Sequence, residues 1–304
     1  MAFLRTLLLM TGLVFAQSVA VHADAFDDAA AAYEREDYTS ALRLMQPLAS
    51  LGDVRAQSYL GLIYGLGQGV KQDYSESGKW YRKAAAQGDS YSQHILGNMY
   101  YLEHGVKQDY TEAAKWYRKA ADQGFAEAQQ MLGVMYSRGK GVLQDYTEAA
   151  KWYRKAAGQG SAKAQRNLGF MYSEGKGVPQ DHTKAMDWYR RAADQGSAEG
   201  QTGVGMLHQQ GFGVPQDNDL AAQWYRKAAD QGFDRAQGLL GVMYQYGKGM
   251  TQDYVQAHMW YNIAASSGYR IAQIARDKIA KRMTPAQIAE AQRMAREWVA
   301  KHPQ

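Results

Sequence analysis

The fold class predicted by the sequence is all-α, a solenoid in which helix pairs stack one on the next. Three observations carry that expectation. Trp80, Trp116, Trp152, Trp188, Trp224 and Trp260 recur every 36 residues, and each is followed by a tyrosine, from Tyr81 to Tyr261. A fixed period of this size marks a repeat architecture, which grows by stacking and has no single core. Within each period apolar residues fall at helical spacing, and glycines and aspartates stand where helices should stop and start.

Residues 125–160 show the unit. Ala128, Leu132, Met135 and Tyr136 share one face of a first helix, A. Gly139 and Gly141 end it, since glycine tolerates positive φ. Asp145 is expected to cap a second helix, B, with Glu148 completing a capping box. Ala149, Trp152, Tyr153, Ala156 and Ala157 form the stripe of helix B, and Gly160 closes the unit. Gly133 lies inside helix A, as do Gly61, Gly97, Gly169, Gly205 and Gly241 in the other units. Glycine there costs about 1 kcal/mol relative to alanine. Close approach of a neighbouring helix or of a Trp ring would explain it. The six tryptophans are accordingly read as structural core.

The recurring string A-Q-x-x-L-G-x-M-Y-x-x-G-x-G-V-x-Q-D-Y-x-x-A-x-x-W-Y-R-K-A-A-x-Q-G resembles the SEL-one-like repeat, a longer-looped relative of the tetratricopeptide repeat. Residues 53–268 hold six such units: 53–88, 89–124, 125–160, 161–196, 197–232 and 233–268. The resemblance implies antiparallel helix pairs wound into an alpha-alpha superhelix, with helix A lining the concave side. It also implies an adaptor or scaffold, often in bacterial envelope or host-contact settings. Some relatives carry a disulfide in each repeat, whereas this chain has no cysteine. Penicillin-binding or β-lactam-hydrolysing activity, associated with the cysteine-rich group, is not carried over.

The ends read differently. In residues 1–23, Arg5, the apolar stretch from Leu7 to Ala16 and Val21-His22-Ala23 make a secretory signal peptide cut after Ala23. The expected location is therefore periplasmic or secreted, with no transmembrane segment after signal removal. Residues 24–52 read as an N-terminal tetratricopeptide-like capping hairpin, its second helix at 38–50 with Leu44 in the Trp position. Residues 269–304 read as a C-terminal capping helix pair. Its first helix is made polar by Arg276, Lys278, Lys281 and Arg282. Its second starts at a Thr284-Pro285-Ala286-Gln287 capping box and carries Ile288, Ala291, Ala295 and Trp298 as its stripe.

Little in the sequence suggests chemistry. The net charge of +5 is spread along the chain, and no nucleic-acid-binding motif accompanies it. Gly139-Lys140-Gly141, Gly175-Lys176-Gly177 and Gly247-Lys248-Gly249 lack the Ser or Thr of a phosphate loop and read as turns. His94, His104, His182, His208 and His258 are scattered, with no zinc-helix spacing. The aspartates Asp73, Asp109, Asp145, Asp181, Asp217 and Asp253 fall at caps. The Arg-Lys after each Trp-Tyr, as in Arg154-Lys155, is expected on a solvated convex face. The expectation is a non-enzyme with no cofactor and no metal.

What remains is surface. Positions of helix A outside the packing stripe differ from unit to unit. They give Ser58, Leu62 and Gly65; His94, Asn98 and Tyr101; Gln130, Val134 and Ser137; Arg166, Phe170 and Ser173; Thr202, Met206 and Gln209; and Gly238, Val242 and Gln245. Stacked, these would form a concave strip suited to a protein or peptide. The candidate partner-binding residues are His94, Asn98, Tyr101, Gln130, Val134, Arg166, Phe170, Met206 and Gln209. The alternative is a cell-wall-associated enzyme or glycan-binding factor, which would need a convergent polar cluster.

Overall fold

The computed structural model describes residues 25–302, all of whose regular elements are helices. The signal-peptide expectation falls outside these residues. The chain divides into two compact units that meet between Gln144 and Asp145 in sequence. The first contains α1 (25–34), α2 (Tyr38–Ser50), α3 (Val54–Leu66), α4 (Tyr74–Ala86), α5 (Ser90–Leu102), α6 (Tyr110–Asp122) and α7 (Ala126–Arg138). The second contains α8 (Tyr146–Gly158), α9 (Ala162–Glu174), α10 (His182–Asp194), α11 (Ala198–Gln210) and α12 (Asn218–Asp230). It continues with α13 (Asp234–Tyr246), α14 (Tyr254–Ser266), α15 (Arg270–Ala280) and α16 (Pro285–Lys301). Within each unit consecutive helices pack on each other, odd-numbered helices A alternating with even-numbered helices B, except that α16 packs on α14.

Helix starts follow the aspartates. Asp73, Asp109, Asp145, Asp181, Asp217 and Asp253 each accept a backbone N–H from the first turn of a helix B. The expected capping box at Asp145 and Glu148 does not close. Glu148 instead pairs with Lys151. A second-acceptor role for such a side chain is unneeded in this fold. At the equivalent caps Asp73, Asp109, Asp181, Asp217 and Asp253 the backbone N–H goes to a carbonyl of helix A, as from Asp109 to Tyr100 and from Asp253 to Tyr244. Among the described residues Thr284 and Gln287 form the reciprocal box, at the start of α16. The second loop glycine is held by packing as well as by φ. A Cβ on Gly141 would lie 2.1 Å from the carbonyl oxygen of Tyr110, so no side chain fits there.

The glycine inside helix A faces the tyrosine after the tryptophan, and not the tryptophan itself. A Cβ at Gly61, Gly97, Gly169, Gly205 or Gly241 would stand 2.5–2.8 Å from the ring of Tyr81, Tyr117, Tyr189, Tyr225 or Tyr261. These tyrosines are all buried. Burial raises their phenol pKa above the ordinary value.

The tryptophans divide. Trp152, Trp224 and Trp260 are buried, whereas Trp80, Trp116 and Trp188 are half-buried. A cation three residues on covers the half-buried rings: Lys83 at 4.0 Å, Lys119 at 4.1 Å and Arg191 at 4.8 Å. The Arg-Lys pair is therefore engaged, and not simply the solvated face expected of it. Its arginine also reaches the next helix A, Arg82 donating to the hydroxyl of Tyr100 at 3.1 Å and Arg226 to that of Tyr244 at 2.7 Å.

A buried amide ladder ties successive repeats. Gln57, Gln93, Gln165 and Gln237 donate to the carbonyls of Ala49, Ala85, Ala157 and Ala229 on the preceding helix B, at 3.0–3.3 Å. Gln57 and Gln93 accept in turn from Gln87 and Gln123, and Gln165 and Gln201 from Gln195 and Gln231, at 2.7–2.9 Å. In the last repeat Ser267 stands where that second glutamine would be, and the side-chain oxygen of the buried Gln237 has no partner among the described residues.

The ends close each unit by burying alanines. α1 packs Phe26, Ala29 and Ala32 against Ala41 and Met45 of α2. At the other end both terminal helices lie on α14. Ala272 and Ile279 of α15 join Tyr261 and Ala264, while Ala291 and Ala295 of α16 join Trp260 and Ile263.

Candidate partner-binding groove

In the second unit the A helix α11 also touches the A helices α9 and α13 on either side of it. The cause is local sequence. α11 carries Gly200 and Gly203 in addition to Gly205. A Cβ on Gly200 would meet Ala192 at 2.8 Å, and one on Gly203 would meet the ring of Tyr189 at 2.6 Å. The position of Gly203 is Tyr59, Ile95, Met131, Asn167 and Leu239 in the other repeats. Tyr189 therefore lies between two helix glycines, Gly169 and Gly203, and a methyl group on either would come within 2.6 Å of its ring.

Removing those side chains leaves space across α9 and α11. Two adjoining cavities of about 250 and 300 Å3 share Phe170, Tyr189, Gly203, Met206 and Arg235. The larger is completed by Arg166, Glu199, Thr202 and Phe233, and the smaller includes Glu174 and His182. Three sequence candidates, Arg166, Phe170 and Met206, thus come together. Arg166 meets Glu199 at 3.7 Å. Phe170 is exposed, under the ammonium of Lys176 at 5.0 Å.

The other candidates behave differently. Gln209 accepts the hydroxyl of Tyr225 at 2.8 Å, so it serves the core. Asn98 does the same for Tyr117 at 2.7 Å, and its amide nitrogen meets Nε2 of His94 at 3.0 Å. His94 is mostly buried against Tyr117 and Phe125, and burial lowers its pKa. Tyr101 packs on the edge of Tyr110 with Lys140 above both. In two of the Gly-Lys-Gly loops the lysine thus sits over aromatic rings, Lys140 here and Lys176 over Phe170 and Tyr146. Gln130 and Val134 lie half-buried on α7. Thr202 is buried and turns its hydroxyl back to the carbonyl of Ala198 at 2.7 Å.

Sequence reasoning misses Arg235, Phe233, Tyr189 and Glu199. Arg235 and Glu199 lie three residues before the variable trios, at another varying position: Arg55, Tyr91, Glu127 and Lys163 elsewhere. Phe233 occupies a helix N-cap and makes no side-chain cap, where Ser161 and Ser197 do. Phe125 and Tyr269 break the capping rule in the same way. An aromatic residue where a cap belongs is the legible signal. Among the described residues no His, Cys, Asp and Glu group could hold a metal ion, and no helix is long and apolar enough to cross a membrane.

The Sel1 repeat family model matches residues 32–53, 54–89, 90–125, 126–161, 162–197, 198–233 and 234–269. The chain belongs to the Sel1 repeat family. Seven repeats are recognised, so the hairpin expected to be a plain tetratricopeptide pair is in part a Sel1 repeat too. Among solved structures, a Sel1 repeat protein from Oxalobacter formigenes is 31% identical, covering 79% of this chain and 96% of its own, with TM-score 0.72. A protective antigen of uropathogenic Escherichia coli, displaying an SLR fold, is 34% identical over 87% of this chain, with TM-score 0.64. The chain spans 65% of that protein's length. No curated protein matches the sequence. Sel1 repeat proteins are in general non-catalytic scaffolds for protein–protein interaction.

Proposed function

We propose that this Sel1 repeat protein is an exported interaction scaffold that binds a protein or peptide partner through the groove over α9 and α11. The observation that carries the reading is the convergence of Arg166, Phe170 and Met206, which vary between repeats, on cavities of about 250 and 300 Å3. Other repeats place Tyr59, Ile95, Met131, Asn167 or Leu239 at the position of Gly203. Here glycines weaken α11 and leave room for a ligand instead. The walls combine aromatic, thioether and guanidinium groups, the residue types that carry binding energy at interfaces. Export rests on residues 1–23, and the description of the Escherichia coli relative as a protective antigen agrees with it.

Affinity capture from the native envelope, with the chain from Asp24 as bait, tests the binding reading. Phe170→Ala and Arg166→Ala should each weaken capture by about tenfold or more. Lys151→Ala, on helix B, should leave it unchanged. Equal loss in all three overturns the groove assignment. N-terminal mass analysis of the native protein tests export, and an intact Met1 chain in the cytoplasm overturns it.

A further inference from the structure

Two groups in the groove lack the partners their equivalents have. Tyr117, Tyr225 and Tyr261 each give their hydroxyl to an amide of their own helix A, at 2.7–2.8 Å. In the fourth repeat the position that supplies Gln209 and Gln245 holds Ser173, which is too short. Among the described residues the Tyr189 hydroxyl has no hydrogen-bond partner, and Tyr189 lines both cavities. Arg235 is exposed at the same wall, and its guanidinium reaches only the sulfur of Met206, at 3.5 Å. No carboxylate among the described residues pairs with it, whereas Arg166 has Glu199. The larger cavity therefore carries one uncompensated cation. Glu174 lines only the smaller one.

We infer that the groove recognises an extended peptide segment in which an internal Asp or Glu adjoins a bulky apolar residue. This rests on the groove reading above. The carboxylate takes the Arg235 guanidinium, a charge-assisted contact, with the Tyr189 hydroxyl donating as second partner. The apolar side chain enters between Phe170, Met206 and Phe233. A cavity of 250–300 Å3 suits one side chain and its backbone, not a folded element. Phe233 supports the assignment independently, since it forgoes the helix cap that Ser161 and Ser197 supply and lines the larger cavity.

The experiment uses the chain from Asp24 and a dye-labelled peptide blocked at both ends, acetyl-Ser-Leu-Glu-Leu-Ser-amide, read by fluorescence anisotropy up to millimolar protein. Leucine on both sides of the glutamate makes the test independent of register. Analogues carry Gln or Lys in place of the Glu, and a fourth peptide carries Gln with a free C-terminal carboxylate. The Glu peptide should bind at least about tenfold tighter than the Gln peptide, and the Lys peptide more weakly still. Arg235→Ala should abolish the preference for Glu over Gln. Tyr189→Phe, which removes a hydroxyl that nothing in the described fold uses, should reduce that preference severalfold. Phe233→Ser should weaken all peptides alike while leaving the circular dichroism intact. Equal binding of the Glu and Gln peptides overturns the acidic specificity but leaves the groove standing. Binding untouched by Phe233→Ser and Arg235→Ala overturns both. Binding of the free-carboxylate peptide alone, or of none, overturns the internal-acid assignment.

Discussion

The two units are built from one 36-residue pattern, yet they treat the helix-A face in opposite ways. In the first unit the chain covers that face with its own rings. Phe125 lies over His94 at 5.1 Å and meets Tyr91 at 6.4 Å, while Tyr101, Tyr110 and Lys140 stack beside them. In the second unit Gly200 and Gly203 stand where larger side chains occur elsewhere, and cavities open beside Tyr189. Both use the same tyrosine-on-glycine contact to hold A against B. The difference teaches that the packing positions set the scaffold, and that a few small residues decide whether a repeat fills its own face or leaves it open.

The largest expected effect contrasts a buried tryptophan of the second unit with a half-buried one of the first. Trp260, in the second, is fully buried against Trp298 and the alanines of α16. Its replacement by alanine should cost about 3–5 kcal/mol. Trp116, in the first, is half-buried under Lys119. Trp116→Ala should cost clearly less, because less apolar area leaves water when it packs. Urea denaturation followed by circular dichroism checks both, and equal losses would mean that the exposure difference carries no energy.

A smaller effect probes the opening itself. Gly203→Ala restores a side chain at the groove and gains helix propensity, but its Cβ would stand 2.6 Å from the Tyr189 ring. Overpacking of this kind costs about 1–3 kcal/mol. Gly158→Ala, at the end of α8, meets nothing within 4 Å. It should stabilise the protein by up to about 1 kcal/mol. If the two changes shift the urea midpoint in the same direction, the close approach at Tyr189 is not what keeps Gly203.

The smallest effect concerns the amide ladder. It is satisfied at Gln57 and Gln93 of the first unit and broken at Gln237 of the second. Ser267→Gln should supply the missing donor and raise stability by about 1 kcal/mol, since an unpaired buried carbonyl is the larger penalty being removed. A higher thermal midpoint, with slower exchange of the amides around 229–237, is the expected result. No change would show that the oxygen of Gln237 is already satisfied by solvent.

The B-helix caps and loop glycines are legible in the sequence because each depends on local chemistry repeated at a fixed interval. Asp109 caps α6 whatever surrounds it, and Gly141 has a positive φ set by its own turn. The reading of Glu148 as half of a capping box fails because its carboxylate pairs with Lys151 one turn on, a choice between two local partners that spacing alone does not make. Likewise the helix glycines stand out by their period, but the ring they accept does not. Trp and Tyr are adjacent in sequence, and only helix rotation decides which of them faces helix A.

Half of the candidate site is visible as variation among repeats. Arg166, Phe170 and Met206 emerge because packing does not fix their positions. Asn98 and Gln209 vary for another reason, since either can accept the buried tyrosine hydroxyl from a different turn of helix A. Phe233 and Arg235 escape sequence reasoning because they precede the helical stripe and reach the groove only when α13 lies against α11. The sequence by itself determined the repeat, its helices and their stacking, because these follow from periodic local signals. Only the tertiary structure decided where the repeats leave room, because a cavity is a property of side chains from α9, α10, α11 and α13 meeting in space, and no single period contains it.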